Sequence, residues 1–528
     1  MSEAKAPAAD AAKQIAAGYE TDKPAIDLGR VSVGGTVDND AVVKVPLAMF
    51  NRHGLIAGAT GTGKTVTLQM LAENLSANGV PVVVADMKGD LSGLSAPGDP
   101  DGPAGGRFKE LGVEYAPAAS PVEYLSLGGI GAGVPVRTAI SDFGPQLLSK
   151  ILGSNETQEQ SLALLFHFAD ERKLPLVDLA DMRAMLMFLD SDEGKADLKG
   201  IGGVSSQTIG VLLRQITALG DAGGTEYFGE PQFDVADLMR IAPDGRGVIS
   251  SIELPAVQDK PALFSTALMG LIAELFETLP EAGDLEKPKL VFFFDESHLL
   301  FNDASKAFLE SVAQTVRLIR SKGVGIFFVT QNPTDIPGEV LSQLGARVQH
   351  ALRAFTPDDA KALKQTVSTY PKSDVYDLSE VLTSLGIGEA VVTVLSSKGV
   401  PTPVAYTRLL SPRSRMGVAD NIQSTTAQSK LWPKYATRVD PESAKELLEA
   451  RIAASAAAPG VTPAPAPIPE GAPPAAGSTP PPAPKAAKPP KAEKPKESAV
   501  TDFLKSSQGK QIQNQLIRGA FGILKSKI

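Results

Sequence analysis

The sequence predicts an α/β fold with a mainly parallel sheet, and three observations carry the prediction. Short apolar runs alternate with stretches of helical periodicity along most of the chain. One such run, Leu55-Ile56-Ala57, opens into a glycine-rich turn and a helix over residues 66–74. Another, over residues 289–294, carries five consecutive apolar residues and ends in two carboxylates, Asp295 and Glu296.

Composition narrows the class. The 528 residues are ample for a large core and more than one unit. The formal charge of −9 gives no basic footprint over the whole chain. With no Cys there are no disulfides and no thiolate metal sites, which fits a reducing compartment. The start is polar and Ala-rich, without the apolar centre of a signal segment, and no apolar run is long enough to span a bilayer. A cytoplasmic protein without an integral membrane segment is the expectation.

In chain order, residues 1–24 read as a disordered or loosely helical N-terminus. Residues 25–50 alternate as a short β element with a turn at Gly34-Gly35. Then comes Gly58-Ala59-Thr60-Gly61-Thr62-Gly63-Lys64-Thr65, a complete G-x-x-x-x-G-K-[ST] phosphate loop between strand and helix. Its glycines let backbone N–H groups turn toward phosphate oxygens, and the new helix adds its dipole there. The nucleotide-contacting stretch runs from Gly58 through Val66. Lys64 is assigned to the β- and γ-phosphates and the Thr65 hydroxyl to Mg²⁺. A ligand-free Gly-rich turn is the bland alternative, and the strand–loop–helix context argues against it.

Residues 80–85 form a second strand ending in Asp86-Met87-Lys88-Gly89-Asp90. Ligands of open parallel sheets sit at the carboxyl ends of strands. That places Asp86, Lys88 and Asp90 beside the nucleotide or its metal; a plain acidic turn is the equal alternative. Residues 95–122 read as irregular and residues 134–140 as a strand. From 143 to 238 the apolar spacing is helical, as in Leu162, Leu165, Phe166, Ala169 and in Ile209, Leu212, Leu213, Ile216. His167 in this stretch reads as a packed or surface residue, because no second His or Cys lies nearby.

At the strand ending in Asp295-Glu296, one carboxylate suits Mg²⁺ and the other the attacking water, as in-line phosphoryl transfer requires. Asp295 is assigned to the metal and Glu296 to the water. The following strand, residues 325–330, ends in Gln331-Asn332, where an amide can contact the γ-phosphate. Between these strands a helix over 306–322 carries Arg317 and Arg320 on one face. Arg320 reads either as an arginine finger for a neighbouring subunit or as a solvated basic helix end.

These segments resemble the HerA–FtsK class of P-loop ATPases, and within it the bacterial HerA-like C-terminal-domain subgroup. The resemblance covers roughly residues 25–418 and rests on NRHGLI into GATGTGKT, ADMKGDLSGL, FFFDESHLLF, VRLIRSKGVGIFFVTQNP, LGARVQHALRAFTP and SPRSRMG. It implies a RecA-like core binding ATP and Mg²⁺, a catalytic glutamate at Glu296, a sensor at Gln331 and an arginine finger at Arg320 acting in trans. Arg347 matches a further basic position. Ring hexamers and work on DNA are typical of the class. Two features depart from it: residues 25–50 are too short for a full N-terminal β-barrel, and the helical insert at 143–238 differs from the DNA-pumping members. His298 invites a two-lobed helicase reading, but only about 120 residues follow before the composition turns to linker, too few for a second lobe.

The expected organisation is a core in two parts, 51–142 and 239–418, interrupted by the insert at 143–238. A helical extension follows at 419–457, preceded by the basic loop carrying Arg413 and Arg415. Residues 458–500 read as an Ala/Pro/Lys linker. Residues 501–528 read as an amphipathic helix suited to docking a protein partner. Two functions follow from the sequence. One is a Mg²⁺-dependent ATPase ring acting on DNA. The other is a nucleotide-gated scaffold that binds a partner through the insert and tail, with slow hydrolysis.

Overall fold

The computed structural model describes residues 8–283, 285–301, 306–396 and 398–457. The expected linker at 458–500 and terminal helix at 501–528 lie outside the described residues.

The strands, in chain order, are β1 (Ala25–Val33), β2 (Thr36–Pro46), β3 (Gly54–Ala57), β4 (Val82–Asp86), β5 (Val122–Leu127) and β6 (Val134–Val136). They continue as β7 (Ile249–Glu253), β8 (Leu290–Phe294), β9 (Val324–Thr330), β10 (Ala346–Gln349), β11 (Glu389–Thr393) and β12 (Ala405–Leu409). All belong to one 12-stranded sheet in the order β2-β1-β12-β11-β10-β3-β9-β8-β4-β7-β5-β6. From β10 to β6 every neighbouring pair is parallel, and β11, β12, β1 and β2 extend the sheet antiparallel. This is the RecA-like P-loop architecture. Its order inserts β9 between the strand that feeds the phosphate loop and the strand that ends in the two acids.

The central strands explain why the sheet is stable there. Every residue of β8 and β9 is buried. Their phenylalanines pack along and across the strands, Phe292 stacked on Phe294 at 5.2 Å, Phe294 stacked on Phe328 at 5.5 Å and Phe293 tilted against Phe327 at 5.2 Å. A strand covered on both faces needs such an unbroken apolar run. Gly325 allows the short helical turn before β3 to lie against β9, since a Cβ there would stand 2.0 Å from Phe50 O. His53 (φ 55°) joins the same two elements: its buried Nδ1 accepts the Ile326 N–H at 2.9 Å. Burial pushes its pKa down to about 4, so the ring is a neutral acceptor.

The structure corrects four readings. Within residues 1–24, Ala8–Ala17 is a helix, α1, with Ala11, Ala12, Ile15 and Ala16 buried. Alanines supply too little hydrophobic contrast to reveal that face in the sequence. Tyr19 then ties the segment to the sheet, its hydroxyl reaching Val392 O at 2.9 Å. Residues 25–50 form a hairpin integrated into the main sheet through β1 and β12, not a separate element. The irregular stretch at 95–122 contains a helix at Pro103–Glu110 and leads into β5. The strand expected over 134–140 stops at Val136, and Ile140 opens a short helix.

Between Ile140 and Met239 the chain is otherwise helical, including Glu156–Arg172, Leu179–Asp190 and Ser206–Leu219. The helix Ala444–Ala457 returns to this group, with Arg451 reaching Glu193 at 2.7 Å and Asp197 at 2.9 Å. Among the described residues no helix is long and apolar enough to cross a membrane.

Candidate active site

The phosphate loop joins β3 to the helix α2 (Lys64–Ala77). Gly58, Gly61 and Gly63 take φ values of 156°, 78° and 107°, which L side chains rarely adopt. The loop hangs from its neighbours: Gly58 N–H donates to Thr330 O at 3.2 Å and Ala59 N–H to Ala351 O at 2.8 Å. Lys64 folds back into it, its Nζ donating to Gly58 O at 2.7 Å and Ala59 O at 3.2 Å. Burial pushes the Lys64 pKa down, while Glu296 and Asp295 oppose that shift.

Beneath the loop lies His350, fully buried at the end of β10. A Cβ on Gly58 would meet its Cβ at 2.5 Å. Its Nε2 stands 2.9 Å from Thr67 Oγ1 on α2. Burial, then the nearby Lys64 charge, lowers its pKa to about 4. A neutral imidazole thus braces loop and helix together. His350 is not among the residues expected from the sequence; it follows Arg347 and Gln349 in a stretch of mixed polarity that gives no local signal.

At the end of β8, Asp295 and Glu296 are both buried. Glu296 adopts φ 45°, the left-handed region, and turns the chain sharply. Burial pushes Asp295 up to about 7, with the negative charges of Glu296, Asp90 and Asp86 adding to the shift. Among the described residues, Asp295 Oδ2, Glu296 Oε2 and Asp90 Oδ1 are buried without hydrogen-bond partners. Carboxylate oxygens of Asp86, Asp90 and Asp295 lie within 4.8 Å of one another. Crowded carboxylates with unpartnered oxygens on Asp90 and Asp295 fit a hard divalent cation such as Mg²⁺, which supplies the missing positive charge. Asp86 also shapes the turn after β4, accepting the N–H groups of Lys88 at 3.2 Å, Gly89 at 2.8 Å and Leu91 at 2.9 Å. The Lys88 ammonium pairs with Glu296 Oε1.

Since β9 runs between β3 and β8, its carboxyl end emerges between the loop and the acids. Gln331 follows immediately. Asp335 fixes this turn, accepting from Thr330 Oγ1 at 2.7 Å and Asn332 N–H at 2.9 Å. Gln331 lines a cavity of ≈ 780 Å³ with Ala59, Thr60, His298 and Arg353. Thr65 follows Lys64 on the first turn of α2 and is partly exposed.

The remaining basic residues lie elsewhere. Arg317 and Arg320 are exposed, before the amino end of β9. The 7-residue β9 puts about 20 Å between that end and the nucleotide side of the sheet. Arg320 therefore does not join the site of its own chain. Arg347 bonds Thr369 Oγ1 at 2.5 Å and lies over Tyr370. The loop of Arg413 and Arg415 is pinned along α2 by Glu73, which accepts Arg413 N–H at 2.6 Å and Ser414 N–H at 3.0 Å. Arg413 lies over Phe108, and Arg415 stands 3.5 Å from Asp420.

Known proteins share this pattern. The family described as "Helicase HerA-like C-terminal" matches residues 33–527. The chain is similar to the DNA double-strand break repair helicase HerA of Sulfolobus acidocaldarius, 21% identical over 375 residues, 69% of this chain and 66% of that protein. It is also similar to the DNA import protein CedB of the same organism, 24% identical over 366 residues, 67% of this chain and 52% of that protein. Among solved structures, the bacterial conjugative coupling protein TrwBdeltaN70 shares the fold at a TM-score of 0.51 and 17% identity, covering 77% of this chain and 95% of that one. The same fold match, at TM-score 0.51 and 16% identity over 77% and 95% of the two chains, extends to TrwB in complex with an ATP analogue. The chain belongs to the helicase HerA-like C-terminal family, within the HerA–FtsK class of P-loop ATPases.

Proposed function

We propose that the protein is a Mg²⁺-dependent ATPase that assembles as a ring, by family resemblance a hexamer, and couples hydrolysis to movement along DNA. The observation that carries the reading is the convergence of three strand ends. The Gly58–Thr65 loop follows β3, Gln331 follows β9, and Asp295 and Glu296 follow β8, all at one edge of the sheet.

In this reading the loop N–H groups and Lys64 bind the β- and γ-phosphates. Thr65 and Asp295 hold Mg²⁺, which neutralises phosphate charge when bound. Glu296 accepts a proton from the attacking water as it displaces ADP from the γ-phosphorus. Gln331 contacts the γ-phosphate and carries its loss back into β9. Arg320 supplies positive charge to the nucleotide of a neighbouring subunit. The core comprises residues 51–142 and 239–418, and the insert at 143–238 with the extension at 419–457 forms an accessory unit. DNA enters because relatives with this core are named as a DNA repair helicase and a DNA import protein.

The test is steady-state ATP hydrolysis by the purified chain at low salt, with no addition, double-stranded DNA, single-stranded DNA or RNA. Low salt matters because phosphate contacts weaken steeply as ions are added. Several-fold stimulation by one DNA form, absent in Glu296→Gln, supports the motor. The net charge of −9 favours a second reading, a nucleotide-gated scaffold for a protein partner. Hydrolysis indifferent to every nucleic acid selects it.

A further inference from the structure

Lys88 stands where the turn after β4 meets the end of β8, and nothing in the catalytic scheme above uses it. Its ammonium pairs with Glu296 Oε1, the carboxylate assigned to the attacking water. Half of the Lys88 side chain is exposed, whereas Glu296 is 8% exposed. The turn holding Lys88 is fixed from below by Asp86, whose carboxylate accepts three of its backbone N–H groups. Lys88 is thus a solvent-facing arm on a rigid base, with its tip on a buried acid.

The surroundings of that tip are strongly charged. Lys88 is attracted by Glu296, Asp295 and Asp90, and it is close enough to Lys64 for the two ammonium groups to repel. The second oxygen of Glu296 has no hydrogen-bond partner among the described residues; His298 Nδ1 stands 3.4 Å from it without bonding. As long as Lys88 occupies Oε1, the lone pairs of that oxygen are engaged by a cation rather than by water. A carboxylate held this way is a poor proton acceptor.

A terminal phosphate carries more charge than a carboxylate, and Lys64, the residue assigned to it, is near enough to Lys88 for their charges to repel. A diphosphate lacks that group. We propose that Lys88 is a γ-phosphate-responsive positioning residue: it holds Glu296 in the nucleotide-free and diphosphate states and transfers to the terminal phosphate in the triphosphate state, freeing Glu296 for water. The inference rests on the ATPase reading. It adds a reason why the base is engaged only when a triphosphate is present, and why the turn after β4 needs a lysine at its tip. Asp90, with one buried unpartnered oxygen beside the same ammonium, is the flanking acid that keeps Lys88 near the site during the exchange.

The test is equilibrium binding of fluorescent ADP and a fluorescent non-hydrolysable ATP analogue to the full chain, both with Mg²⁺. The variants are Lys88→Met, Lys88→Arg, Glu296→Gln and the double variant Lys88→Met/Glu296→Gln. Loss of one charge-assisted contact predicts about tenfold weaker binding of the ATP analogue by Lys88→Met, with ADP binding within about twofold of wild type. Lys88→Arg restores most of the loss. Glu296→Gln releases Lys88 from its ion pair and binds the analogue more tightly than wild type, and that gain vanishes in the double variant. Equal losses for both nucleotides, an unchanged analogue affinity in Lys88→Met, or a Glu296→Gln gain that persists without Lys88 would each overturn the inference while leaving the ATPase reading intact. Wild-type chain that binds neither nucleotide overturns both.

Discussion

Asp295 is the residue whose charge state this site has to manage. Burial and three neighbouring carboxylates raise its pKa to about 7, so the folded, metal-free chain holds a proton there that the unfolded chain releases near the ordinary Asp value. The sign follows from linkage: an acid raised on folding favours the native state below its unfolded pKa, and that contribution is lost as pH rises through about 7. Without Mg²⁺, Asp295→Asn should therefore raise the melting temperature by a few degrees at pH 8.5 and by much less at pH 5. A gain that is equal at both pH values would contradict the assignment. Mg²⁺ affinity should rise with pH across the same window, because only the ionised carboxylate is a ligand. Glu296 sits beside Asp295 but has, in the proposed scheme, a proton rather than a metal to handle. Glu296→Gln should lower kcat by about 10²–10⁴-fold and keep ATP binding, as expected on removing a general base. Lys64→Ala should abolish turnover through the loss of phosphate contact. Turnover in Glu296→Gln comparable to wild type would remove it from the role of base.

At the scale of elements, β9 does the most, because one strand both fills the core and aims Gln331 between the loop and the acids. Its tolerance is narrow. Gly325→Ala would place a methyl 2.0 Å from the Phe50 carbonyl oxygen, backbone that cannot swing aside as a side chain can. The expected cost is about 3 kcal/mol, read as a lowered midpoint in denaturant unfolding. An unchanged midpoint would mean that the turn before β3 is not packed as described. Elements also show what a sequence makes legible. The loop between β3 and α2 and the acid-tipped β8 are readable because the proposed chemistry is written in local patterns: glycines for the turn, a lysine, and an apolar run closed by two carboxylates. Strand order is not local, so nothing in residues 325–330 announces that β9 lies between β3 and β8. The helix at Ala8–Ala17 is hidden because its buried face is mostly alanine. His350 is hidden because its importance comes from sitting under Gly58, on a strand distant in sequence. The basic loop at Arg413 and Arg415 reads equally well as a ligand contact or a solvated loop. What fixes it is Glu73 on α2, accepting backbone N–H groups from 340 and 341 residues away.

At the scale of the whole molecule, the position of Arg320 decides how many chains the chemistry needs. It precedes β9, whereas phosphate binding occurs beyond the other end, and a 7-residue strand separates the two by about 20 Å. An arginine side chain does not bridge that distance, so any contact between Arg320 and a nucleotide is made in trans. Such a contact joins unlike surfaces of two copies, and a head-to-tail interface that closes generates a ring. Each site would then take Glu296 from one chain and Arg320 from the next. Arg320→Ala should depress kcat by about 10³-fold, the lower end of what arginine fingers supply, and its ATP affinity should change little. Mixing Arg320→Ala with Glu296→Gln protein in equal amounts should restore hydrolysis. Random assembly leaves about one site in four with both groups intact, so recovery toward a quarter of wild-type activity is the expected ceiling. Specific activity of the wild-type protein should also rise with its concentration as rings form. An inactive mixture whose co-assembly has been verified by size and composition would assign Arg320 to a solvated helix end, and the ring would have to be closed by other contacts.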